Sequence, residues 1–211
     1  MQDEGVIPSL GRGYAAELDA EPAQRIVEAA RRMVGERGIE NSHVGDIAAA
    51  AGLSRGLVRY YFGSKDGLML QVMEADARDR LHLLHEHLEP ATSVDELVDG
   101  LVATFAEFVR EDRGAHVVLQ EMATLGMRRP AIRARRAQLR AAYRQALADI
   151  LAEKQRQGIV GLAGIDLAAT ATAVSALGLG LAAEIHAAEP EWDYRAALEE
   201  AVAAAKHLLS R

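Results

Sequence analysis

Cysteine is absent from the 211 residues. Its absence excludes a disulfide framework, Cys-ligated zinc, iron–sulfur ligation and thiol catalysis. Aromatics are scarce (five Tyr, three Phe, one Trp), and proline occurs only five times. β-Branched residues are sparse and alanine dominates the apolar half, which favours helix over sheet. The first twenty residues, MQDEGVIPSLGRGYAAELDA, contain no apolar core of a secretory signal. The most apolar stretch, Leu167–Ala183, carries no charge but is short and padded with Ala, Thr and Gly. It reads as a buried helix and not as a membrane span, so a soluble cytoplasmic protein is expected.

What is present is 26% charged residues beside 50% hydrophobic ones, a balance that argues against disorder. The net charge of −7 opposes nucleic-acid binding, but it is unevenly spread. Residues 1–21 hold one Arg and five acids. Residues 22–65 hold seven bases and four acids, a net +3. Residues 66–211 hold 16 bases and 22 acids, a net −6. One basic block therefore lies near the N-terminus, and local field rather than total charge governs DNA binding.

Within that block Pro22 suits the first turn of a helix. Ile26, Ala29, Ala30, Met33 and Val34 form a single buried stripe, and Gly38 is a plausible stop. A short helix is expected over Val44–Ala51, capped by Ser42 or His43, with Asp46 in its first turn. A turn at Gly52-Leu53 follows, then a third helix capped by Ser54 and running to about Tyr61. Beyond Gly63 and a Ser64 cap, the pattern predicts Lys65 to about Leu88. A capping box at Ser93–Glu96 opens a helix to about Arg110. Further helices are expected over Ala115–Leu125, from Pro130 to Gly158, over Asp166–Ala188 and over Asp193–Leu209. The count is about nine helices without a strand.

Residues 44–62, VGDIAAAAGLSRGLVRYYF, carry the strongest motif. With Gly52 in the turn, Ile47, Ala48 and Ala51 face inward from one helix, and Val58 and Phe62 from the next. Leu53 plugs the corner. This is what a helix-turn-helix requires: a small residue where the helices cross and a glycine at the turn. Arg55, Leu57, Arg59 and Tyr60 are left facing out, where guanidiniums and a phenol suit base edges and phosphates.

The segment Gln24–Leu68, with its AGLS turn and trailing YFGSK, resembles the DNA-binding domain of TetR-type transcriptional repressors. The resemblance implies an all-α fold, with an N-terminal three-helix helix-turn-helix domain and a C-terminal six-helix regulatory and dimerisation domain. The boundaries would be an arm at 1–21, the DNA-binding domain at 22–65 and the ligand-binding and dimerisation domain at 66–211. It implies a homodimer on an inverted-repeat operator, released by a small-molecule effector. The family's DNA contacts would fall on His43, Gly45, Ser54, Arg55, Gly56, Leu57, Arg59, Tyr60, Tyr61 and Lys65. Arg59 stands where Tyr is common and His43 where Thr is common.

Other patterns carry less. Gly52–Gly56 fits the G-x-S-x-G nucleophile elbow, but a helix and not a strand precedes Ser54. His82, His85 and Glu86 share a helical face, yet a solvated polar face is the simpler account, so no metal, cofactor or catalytic residue is assigned. An effector pocket is expected among the middle helices, lined by Phe105, Phe108, His116, Glu121, Met122, Tyr143 and Thr172, and suited to a largely apolar molecule. The small residues of the last two helices suit a four-helix dimer interface. The competing functions are a helical small-molecule-binding protein or enzyme without DNA binding, and a non-specific DNA-binding protein. The net −7 opposes the latter.

Overall fold

A computed structural model describes residues 20–110, 113–161, 166–187 and 192–210. Among the described residues there are nine α-helices and no strand. They are α1 (Glu21–Asn41), α2 (Val44–Ala50), α3 (Arg55–Phe62), α4 (Lys65–Leu88), α5 (Val94–Arg110), α6 (Arg113–Arg128), α7 (Pro130–Arg156), α8 (Leu167–Ala187) and α9 (Arg195–Leu209). Helix α6 extends beyond the expected Ala115–Leu125 at both ends. The chain forms two compact units, residues 20–79 with 113–140 and residues 80–110 with 141–210, so α4 and α7 each contribute to both.

The first unit is organised by the stripe on α1. Ala23, Ile26, Ala30 and Val34 are fully buried, and they join Ile47, Val58, Phe62 and Leu68 in one core. Val118 and Met122 of α6 complete it, and α6 is the helix that packs most extensively on α1. The helical path of α1 breaks at Gly38, whose φ of 77° and ψ of 167° are open essentially to glycine alone. The Glu121 carboxylate of α6 closes this break by accepting the Ile39 N–H at 2.6 Å.

Two sets of ion pairs fix α4 within this unit, with their side chains largely buried except for the exposed Asp79. Arg135 of α7 donates to Glu74 at 2.7 Å, and both side chains are nearly buried. Arg31 of α1 donates to Asp76 and Asp79, each at 2.9 Å. Removing one partner of such a pair strands a charge away from water, which makes each contact a constraint on helix register.

The second unit is built on Leu84, Leu88, Leu97, Leu147, Leu151, Val174 and Leu209. Lys154 is buried, and its ammonium donates to the carbonyls of Glu89 (2.5 Å) and Ala91 (2.6 Å), tying the end of α7 to the loop before α5. At that loop the Ser93 hydroxyl accepts the Glu96 N–H, as a capping box requires. The Glu96 carboxylate, however, reaches Thr92, accepting from its N–H and hydroxyl and not from Ser93. Those bonds hold the Glu96 carboxyl below the ordinary carboxylate range. Helix α8 begins where Asp166 accepts the N–H groups of Ala168 and Ala169.

The expectation that α8 is a buried helix is corrected. Thr170, Ala171, Val174 and Ala182 are its buried residues, while most of its apolar surface lies outside the core of the unit. By length and composition alone α8 is long and apolar enough to cross a membrane. Within the unit it packs on α9 and α5.

Candidate nucleic-acid interface

The local sequence builds α2, the turn and α3 as one rigid corner. Ala48 is 2% exposed where α2 meets α3, and Val58 and Phe62 anchor α3 from behind. The turn closes through Gly52 N–H to Ala49 O and Leu53 N–H to Ala48 O, with Gly52 at φ 67°. Arg25 braces it from α1 by donating to the Ala51 carbonyl at 2.5 Å. The Ser54 hydroxyl accepts the Leu57 N–H and so caps α3, as expected. Of the two expected cap residues of α2, His43 stands at the N-cap, without a side-chain bond, while the Ser42 hydroxyl turns back to donate to the Gly38 carbonyl.

The predicted DNA-contact residues lie on or beside α2, α3 and the first residue of α4. His43, Gly45, Ser54, Arg55, Gly56, Arg59 and Tyr60 are exposed, the last by 57%. Arg55 and Arg59 have no carboxylate partner among the described residues. Leu57 is half-buried and not fully outward. Tyr61 is also half-buried; it packs on the core and meets Tyr60 edge-to-face at 5.1 Å. The Lys65 ammonium donates to the Glu40 carbonyl at 3.3 Å, beside the entry to α2. A Cβ on Gly45 would meet nothing within 4 Å. No internal crowding therefore requires a glycine at this position, and its bare backbone leaves the first turn of α2 open to close approach.

Two bases of the 22–65 block are held by the chain itself: Arg31 pairs with Asp76 and Asp79, and Arg25 donates to the Ala51 carbonyl. The reading of a single basic block is also corrected. Within the first unit the described residues hold 15 Lys and Arg against 10 Asp and Glu, a net +5, and within the second 7 against 13, a net −6. The difference comes largely from residues 122–140, which hold six arginines and no carboxylate. Counting charge over 66–211 as one block averages this run away.

The proposed effector residues divide between the two units. His116 and Met122 are buried in the first, and Glu121 there is bonded to Ile39. Phe105, Tyr143 and Thr172 belong to the second, and the side chain of Phe108 lies outside the described residues. Thr172 is exposed, with its hydroxyl donating to the Ala168 carbonyl. Burial pushes the Tyr143 phenol pKa up, with Arg80 opposing. The second unit does carry an open groove of about 460 Å³, but it lies between α8 and α9 and is lined by Ala173, Ala176, Leu177, Ala204, His207 and Leu208.

Among the described residues no three His, Asp or Glu side chains gather as metal donors. His85 lies 2.8 Å from Glu89, and His82 lies 3.8 Å from Glu86. The G-x-S-x-G look-alike sits between α2 and α3, where its serine is spent on the helix cap.

With this geometry in hand, the chain can be compared with known proteins. Residues 26–72 match the family described as bacterial regulatory proteins, tetR family. The HTH-type transcriptional regulator TtgR of Pseudomonas putida is 35% identical over 81 residues, 38% of this chain and 36% of that protein. The relatives of higher identity are thus spanned over only about a third to a half of their length. The HTH-type transcriptional regulator UidR of Escherichia coli is 25% identical over 172 residues, 81% of this chain and 85% of its own. A crystal structure of a TetR-family protein from Rhodococcus sp. superposes with a TM-score of 0.75 at 24% identity, covering 90% of this chain and 99% of that one. That likeness carries the all-α fold beyond the matched segment.

Proposed function

We propose, from the match of residues 26–72 to the tetR family of bacterial regulatory proteins, that this chain belongs to that family and is a cytoplasmic, ligand-responsive transcriptional regulator. In this reading the chain acts as a homodimeric repressor. The observation that carries it is the exposed face of α3, where Arg55, Arg59 and Tyr60 stand out from a helix anchored by Val58 and Phe62. A short helix of that kind enters a major groove, with His43, Gly45 and Lys65 meeting the flanking phosphates.

An inverted repeat is read by two recognition helices about 34–36 Å apart, so the active form is a dimer. The open apolar face of α8 and α9 supports the partner's docking there, in a four-helix arrangement. The effector is a largely apolar small molecule held by the 66–211 region, with Phe105 and Tyr143 among its contacts. It acts by binding better to the dimer with the wrong recognition-helix spacing, and α4, which contributes to both units, carries the coupling.

The test is selection from random duplex DNA by the purified full-length chain, followed by sequencing of the retained pool. Enrichment of an inverted repeat, lost in R55A/R59A, is the expected result. A wild-type protein that enriches no sequence, and binds duplex no better than R55A/R59A, would overturn the reading in favour of a helical ligand-binding protein without DNA.

A further inference from the structure

We propose that the turn joining α6 to α7 forms a second phosphate-binding surface, in which Arg128 and Arg133 grip the DNA backbone flanking the segment read by α3. The inference rests on the DNA-binding function proposed above and extends its footprint. It starts from the arginine run, seven residues without a carboxylate between Met122 and Ala148. A run of this kind on a helix is usually a solvated face, so the tertiary contacts decide what each member does.

Those contacts sort the arginines. Arg135 is buried against Glu74. Arg129 pairs with Asp66. Arg128 and Arg133 are exposed and meet no carboxylate among the described residues. Gly126 packs the last turn of α6 against the backbone of Arg133, where an added Cβ would lie 3.4 Å from Cα. The two free guanidiniums therefore flank one tight corner, with Met127 in the last turn of α6 75% exposed. Like charges held at a corner without a counter-ion are poised for an anion.

The position of the corner selects the anion. The Arg129–Asp66 pair sets it beside the first turn of α4, next to Lys65 and four residues beyond Phe62, the end of α3. It belongs to the unit that carries α2 and α3 and has the net positive charge. A duplex gripped by α3 continues past that unit as two rows of phosphates, and guanidinium pairs with phosphate through two parallel N–H donors. Asp66 opposes the same duplex and neutralises Arg129.

The experiment measures the salt dependence of binding to two duplexes carrying the enriched repeat. One ends at the repeat, and the other adds a helical turn, about 10 base pairs, on each side. Each phosphate neutralised adds about 0.9 to the slope of log K against log salt, so four arginines in a dimer add about 3 to 4 on the longer duplex. R128Q/R133Q is expected to lose that increment, and R128K/R133K to keep it. D66N, which frees Arg129, is expected to steepen the slope and supplies the opposite sign should the double glutamine variant fail to fold. An R128Q/R133Q slope equal to wild type on the longer duplex, while R55A/R59A has lost binding, overturns this proposal and leaves the function standing. Wild-type binding that R55A/R59A does not weaken overturns both. An unchanged DNA slope with lost binding to polyglutamate would assign the corner to an acidic protein and overturn the proposal.

Discussion

Replacing Gly38 by alanine tests whether the junction between α1 and α6 is as tightly determined as its geometry implies. The residue sits at φ 77° and ψ 167°, and holding a residue with a Cβ there costs about 1–3 kcal/mol. The added Cβ would also lie 2.8 Å from Glu121 Oε1, inside any real contact distance. To escape, the carboxylate must swing away from the Ile39 N–H that its other oxygen accepts at 2.6 Å. A hydrogen bond to a charged group contributes about 1.5–3 kcal/mol, so G38A should cost about 3–5 kcal/mol in all. E121A loses only the bond. The double variant has no bond left to lose, so it should match G38A rather than the sum of the two. Urea unfolding followed by helical circular dichroism reads these values, at one protein concentration because a dimer's stability depends on it. Either of two results refutes the reasoning: G38A within 0.5 kcal/mol of wild type, or single costs that simply add.

Three further outcomes are expected. R135L, which strands Glu74 among buried neighbours, should cost about 3–5 kcal/mol, and E74L/R135L should recover most of it in the same urea assay. G45A should leave the fold intact or stabilise it by up to about 1 kcal/mol, yet weaken operator binding in a gel-shift titration, because the new methyl occupies the space left for phosphate. A176E/L177E puts charge into the groove between α8 and α9 and should yield a monomer by sedimentation, with operator affinity lost along with it.

The helix-turn-helix corner was legible because its determinants are neighbours in the chain. The apolar stripe on α1, the glycine at 52 and the cap at Ser54 act through residues one to four positions away, so each could be assigned before any contact was known. The family resemblance drew on the same local pattern, and the boundaries that slipped were those of α6, which runs Arg113–Arg128 against the expected Ala115–Leu125.

The role of a charged or apolar side chain far from its partner was not legible. Glu121 looked available to a ligand, but it closes a helix break 82 positions away. Arg31 and Arg135 counted equally with Arg55 and Arg128 until their carboxylates, 45 and 61 positions distant, were brought beside them. The apolar composition of α8 implied burial, whereas the fold buries only Thr170, Ala171, Val174 and Ala182 of it. Propensity, periodicity and capping depend on nearby residues, and the sequence alone determined the helices and the corner they make. Whether a charge is neutralised or an apolar face covered depends on which helices pack together, and only the tertiary structure decided that.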